Sequence, residues 1–238
     1  MHRLLDDPGP EGFLADWYGP PDQAGTPGHA GASGDGPAVA PAVAAAAVDG
    51  LPPALAEWYT VTAGYGRPVL FNHRIAAPDE LYEDDGLIAF CRDDFEAQEF
   101  GVAPGDGDPV VHQRWIGDAV AWEPHPEGLL LSQFLPALLL HESVEGARHA
   151  ARASRLALAR CAELLAPLHR LPGPELFTRQ YAGEGLLAIA WPEPDEDTWT
   201  VHLAAREEAS LRYTAAVPGV TFGPGEWCPE EGETGEGP

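Results

Sequence analysis

His141, Glu145 and His149 recur at every fourth position. On a helix that spacing sets all three on one face, and histidine with carboxylate at that spacing can chelate zinc. The segment His141-Glu142-Ser143-Val144-Glu145 is not HExxH, however, and Gly146 interrupts the helix before His149. Histidine near a helix C-terminus has a commoner role, since the dipole there favours a cation. Cys91 ends an apolar run, beside Arg92 and before Asp93-Asp94. The arginine would lower its pKa and the carboxylates would raise it, so a buried structural thiol is the better reading. Ser33 lies in a Gly-rich stretch, and no Gly-x-Ser-x-Gly elbow exists. The chain has no lysine, which excludes a Walker loop, and GxGxxG is absent. Gly105-Asp106-Gly107-Asp108 resembles a fragment of a calcium loop but lacks the later oxygen ligands. No catalytic residue, metal or cofactor is assigned.

The elements that position these residues follow from patterning. Pro52 and Pro53 open a helix, because the first turn has no use for their missing N–H. Leu55, Trp58, Tyr59 and Thr62 share one face of it, and Gly64 ends it. Strands are expected over Val69–Arg74, Leu87–Phe90, Glu99–Val102 and Val110–Gln113, with a turn at Asp84-Asp85-Gly86. A Leu-rich helix, Leu131–Glu145, closes this unit, with Ser132 as its cap and Pro136 in its first turn. A second helix, Arg152–Leu165, carries a stripe of Arg148, Arg152, Arg155 and Arg160. Three more strands, Phe177–Tyr181, Leu186–Trp191 and Trp199–Leu203, precede a helix at Arg206–Thr214. The order, a helix, an antiparallel meander and a helix, implies an α+β fold. The later strands alone would bury too little area, so one continuous sheet is expected. The chain divides into 1–37 (a short helix and a Gly/Pro/Ala linker), a domain over 38–222 with an Ala-rich start, and an acidic tail, 223–238, expected to be disordered.

The formal charge is −25, and all 13 basic residues are arginine. A surface this acidic repels nucleic acid and anionic membranes and attracts a basic protein. No apolar run approaches a membrane span and the N-terminus has no apolar signal centre, so a cytoplasmic protein is expected. Cys91, Cys161 and Cys228 form no CxxC pair. Acids are densest at Asp79, Glu80, Glu83, Asp84, Asp85, Asp93, Asp94, Glu96, Glu99, Asp106 and Asp108, against a single Arg92 in that stretch. They fall in turns of an antiparallel meander and are expected to converge on one acidic face. Trp115 and Trp122, in a Gly- and Pro-rich segment, are candidate aromatic anchors.

Leu51-Pro52-Pro53-Ala54-Leu55 leading to Trp58-Tyr59, the Pro78-Asp79-Glu80-Leu81 turn and Asp85-Gly86-Leu87-Ile88-Ala89-Phe90 make an ordered set. Gln98, Gly107-Asp108-Pro109-Val110-Val111 and Leu131-Ser132-Gln133-Phe134-Leu135 complete it. The set resembles the SUKH superfamily, the bacterial immunity proteins related to Smi/Knr regulators, and covers residues 38–146. The resemblance implies an α+β fold, a mixed, mostly antiparallel bent sheet with helices packed around it, and a non-enzymatic protein-binding function. The expected activity is neutralisation of a basic toxin domain, often a nuclease, by occluding its cleft. A general adaptor and an uncharacterised hydrolase using Cys91 or a carboxylate are the alternatives.

Overall fold

The computed structural model describes residues 10–19, 50–65, 68–95, 97–117, 121–172, 178–194 and 197–222. The linker, the Ala-rich segment at 38–48 and the acidic tail lie outside them. The architecture is α+β with two antiparallel sheets, six strands each. The first contains β1 (His73–Ile75), β2 (Tyr82–Asp84), β3 (Leu87–Asp93), β4 (Gln98–Val102), β5 (His112–Trp115) and β6 (Glu123–Pro124). Its order is β1-β3-β4-β5-β6, with β2 on β3 beside β1. The second contains β7 (His149–Ala157), β8 (His169–Arg170), β9 (Arg179–Gly183), β10 (Leu186–Pro192), β11 (Thr198–Ala205) and β12 (Thr221–Phe222), in the order β12-β7-β11-β10-β9-β8. The expected single sheet is therefore corrected to two.

Helix α3 (Leu131–Glu145) accounts for the separation. Phe134 packs against Phe90 and Phe100 of the first sheet, with ring centroids 5.9 and 4.9 Å away. The same core cluster includes Ala182, Leu187, Ile189 and Ala204 of the second sheet. Helices α1 (Pro10–Trp17) and α2 (Pro53–Thr62) complete that layer with Phe13, Leu14, Trp17, Leu55, Trp58 and Tyr59. The far face of the second sheet holds Ala188, Ala190, Val201 and Leu203. It is covered by α4 (Leu158–Leu165) through Cys161 and Leu164, and by a 3-10 helix (Glu208–Ala216) through Leu211. The central strands β10 and β11 are thus buried on both faces, and β10 reads as an apolar run, as doubly covered strands do.

Local departures from expectation have physical causes. Only His73–Ile75 of the extended run pairs as a strand. The N–H groups of Phe71, Asn72 and His73 go instead to the Glu142 carboxylate. Helix α2 passes into a 3-10 turn at Ala63–Tyr65 before Gly64 could end it. Ser132 is not the cap: α3 begins at Leu131, and Asp108 accepts the Ser132 N–H at 3.0 Å. Pro136 consequently lies in the second turn. Arg152–Ala157 is strand, not helix, because pairing of β7 with β11 overrides the helical preference of alanine and arginine. Ser154 and Arg155 oppose Thr200 in a bulge, and Arg155 has φ 55°. The arginine stripe is thereby dispersed: Arg152 pairs with Glu145 and Arg160 with Glu163. The last expected helix is 3-10 and runs Glu208–Ala216.

Candidate functional site

Strand alternation sorts the acids of the first sheet before any contact is considered. Arg92 opposes Glu99, Glu99 opposes Arg114 and Tyr82 opposes Ala89, so these side chains share the outer face, away from α3. Glu99 is only 2% exposed and is no part of an acidic surface. It accepts hydrogen bonds from Arg92 at 2.9 Å, Arg114 at 2.7 Å and the Tyr82 hydroxyl. Burial alone would raise its carboxyl; the bonds from Tyr82, Arg114 and Arg92 outweigh that and hold it below the ordinary value. Arg114 also pairs with Asp84, and its guanidinium lies 4.3 Å over the Trp122 ring. Trp122 donates its indole N–H to Asp84 and covers Gly101, where an added Cβ would meet the ring at 3.0 Å. Trp122 is therefore a half-buried brace, not an anchor presented to solvent.

Glu80 pairs with Arg74 at 2.9 Å and accepts the Ala77 N–H. A hollow of about 150 Å³ lies among Arg74, Glu80, Tyr82, Cys91, Arg92 and Glu99. Its arginines and carboxylates already satisfy one another, so it offers no net charge to a ligand. Cys91 is buried, and burial, then Glu142, Asp93 and Asp94, push its thiol well above the ordinary range. That is the opposite of an activated nucleophile.

The remaining acids do not converge on one face. Register places the β2–β3 turn and the β4–β5 loop at one end of the first sheet, and the β3–β4 hairpin at the other. The first end carries Asp84, Asp85, Asp106 and Asp108. Asp85, with φ 51°, and Gly86, with φ 78°, form the left-handed pair that a two-residue hairpin turn requires. Asp108 is occupied by Ser132, accepting from its N–H and its hydroxyl. The second end carries Asp93 and Asp94; Glu96 lies outside the described residues. Asp93 accepts the N–H groups of Ala97 at 2.7 Å and Gln98 at 3.1 Å. Asp79, in the β1–β2 connection, and Glu83, on β2, are exposed elsewhere. Among the described residues no ion pair holds Asp79, Glu83, Asp85 or Asp106. Trp115 stands 57% exposed at the second end, beside Phe95 and Ile116.

The residues once suited to zinc are committed elsewhere. Glu145 accepts from His202 at 2.6 Å and Arg152 at 3.0 Å, while His149 lies on β7. Among the described residues no group of three His, Cys, Asp or Glu side chains is arranged to hold a metal. His141 is half-buried, and desolvation outweighs Glu142 and Glu145 to depress its pKa. Glu142 is 1% exposed and holds three backbone N–H groups besides His73 Nδ1 at 2.9 Å. Burial would raise its carboxyl, but His73, His141 and the Asn72 N–H hold it below the ordinary value. Sequence reasoning missed this residue, although a lone acid four residues after Leu138 on an apolar helix face was a signal. It also missed Arg114, Phe95 and Ile116, which carry no motif.

No protein-family model matches the chain, and no curated protein and no solved structure matches it. None of the described helices is long and apolar enough to cross a membrane.

Proposed function

We propose that the chain is a non-enzymatic, immunity-type domain that binds a basic toxin domain and occludes its active cleft. The observation carrying this reading is the disposition of charge. The chain has a formal charge of −25. The first sheet turns Arg74, Arg92 and Arg114 onto Glu80, Glu99 and Asp84, so Asp85 and Asp106 at one end and Asp93 and Asp94 at the other form no ion pair with them. A field built this way speeds encounter with a basic protein and fades as salt shortens the Debye length to about 8 Å at physiological ionic strength. The resemblance of the sequence over 38–146 to the SUKH superfamily points the same way, and a nuclease-type toxin would supply the basic cleft. The cytoplasm is the compartment in which such a protein would protect its own cell.

The test is co-purification from host lysate at low and then high salt, followed by an activity assay on the recovered partner. The expected result is a basic protein released at high salt, whose toxic activity is abolished at a one-to-one ratio. A recovered partner with no toxic activity would move the reading to an adaptor. A partner whose association rate is unchanged between low and high salt would remove the electrostatic mechanism.

A further inference from the structure

We infer that the β3–β4 hairpin end of the first sheet is the surface that docks the basic protein partner, with Phe95, Trp115 and Ile116 as apolar anchors inside an acidic rim of Asp93 and Asp94. The inference rests on the protein-binding reading and says where on the molecule the partner sits. Only five large apolar side chains are exposed among the described residues, and three gather here: Phe95 at 63%, Trp115 at 57% and Ile116 at 39%. Of the other two, Tyr82 is tied into the Glu99 network and Leu158 stands alone on α4. The opposite end, with Asp85 and Asp106, exposes no large apolar side chain among the described residues. Both ends attract cations, but only one can also bury aromatic area, and buried aromatic anchors dominate binding energy.

The hairpin end is also held in shape before any partner arrives. Asp94 donates its N–H to Asn72 at 2.8 Å, and Asp93 clamps Ala97 and Gln98. Ile116 donates to the Ala97 carbonyl at 2.8 Å, and Gln98 reaches Gln113 at 3.0 Å. Trp115 lies directly opposite Gln98 in the ladder. Little ordering cost is left for binding. The sign of the partner follows from the neighbours. The sheet arginines closest in register, Arg74, Arg92 and Arg114, are ion-paired with Glu80, Glu99 and Asp84, and none of them forms an ion pair with Asp93 or Asp94. The occupant is a protein surface combining an apolar patch with arginine or lysine, not nucleic acid or a bare polycation.

The experiment is an amide NMR titration of the full chain with two synthetic peptides of equal positive charge. One is an Arg–Gly repeat; the other is an amphipathic helix with arginine and leucine on opposite faces. The amphipathic peptide should shift the amides of 93–95, 97, 98 and 114–117 and bind at least about tenfold more tightly than the repeat. Trp115→Ser should remove that advantage while leaving the spectrum of the second sheet unchanged, and Asp94→Asn should reduce the salt dependence. Equal affinity of the two peptides would overturn the inference. So would shifts spread equally over the Asp85 end, or undiminished binding to Trp115→Ser. Peptide binding at the hairpin end with no basic toxin recovered would sink the immunity reading and leave the surface standing. A toxin whose footprint falls on Asp85 and Asp106 would do the reverse.

Discussion

The two sheets have equal strand numbers and unequal duties. The second is covered on both faces: Leu187 and Ile189 meet the α3 layer, and Ala188, Ala190, Val201 and Leu203 meet α4 and the 3-10 helix. The first packs one face only, and its outer face is a lattice of ion pairs around Glu99. Strands buried twice, β10 and β11, have no face left on which to form a contact, so they serve as scaffold. A sheet buried once keeps a polar face and two ends, and those can change sequence without disturbing the core. Helix α3 belongs to both regimes. Glu142 ties it to β1 through His73, and Glu145, one turn on, ties it to β11 and β7 through His202 and Arg152.

The contrast can be broken at several strengths. The largest effect is expected at the tie itself. Glu142→Gln leaves three N–H groups and His73 facing an amide, and breaking a buried charged contact from one side costs about 3–5 kcal/mol. Urea unfolding measures it, and a loss under about 1 kcal/mol would mean the carboxylate does not hold the layers together. Next comes the scaffold. Ile189→Ala in the second sheet should cost about 2–5 kcal/mol. Gly183→Ala should cost about 1–3 kcal/mol by overpacking, because its Cβ would stand 2.6 Å from Leu168 Cδ2 and 2.9 Å from the Pro167 carbonyl.

Acidification should act on the α3 ties in two steps. His141 has a depressed folded pKa, so below its ordinary value of 6.5 the unfolded chain takes up the proton first and stability begins to fall. Burial opposes the charge on Glu142 and Glu145, but their hydrogen bonds and cationic neighbours win, so both carboxyls sit below the ordinary 4.5. Their contribution is complete above that value and is lost as pH falls through the folded pKa values. Melting curves between pH 7 and 3 should show both steps, and Glu145→Gln should diminish only the lower one. The smallest effects belong to the surface. Trp115→Ser and Asp85→Asn should each change stability by no more than about 0.5 kcal/mol. A larger loss for Trp115→Ser would turn that side chain from a docking group into a structural one.

Local patterning made the α+β class, α2, α3, the β3–β4 pairing and the β10–β11 hairpin legible. Leu55, Trp58 and Tyr59 recur at helical spacing, and Asp85-Gly86 declares its turn. The sheet count was not legible, because pairing of β7 with β11 joins segments about fifty residues apart and no propensity reports that. Arg152–Ala157 read as helix for the same reason. The acidic face was half legible. Composition gave the sign, but strand alternation sent Glu99 onto the outer face under two arginines, and register put Asp84, Asp85, Asp106 and Asp108 at one end and Asp93 and Asp94 at the other. Phe95 and Ile116 had no signal at all, since exposure of a large apolar side chain depends on where the sheet stops.

Helix α3 is made before every strand of the second sheet, and this sets an order of events. When residue 145 leaves the ribosome, the first sheet, α1 and α2 are already available to pack against it. The flank that meets Leu187, Ile189 and Ala204 is not yet covered, because those residues come later in the chain. For the time it takes to make some sixty more residues, a few seconds at about 5–20 residues per second, the nascent protein presents a bare apolar flank. For that interval the uncovered flank is open to aggregation, until the second sheet arrives to cover it.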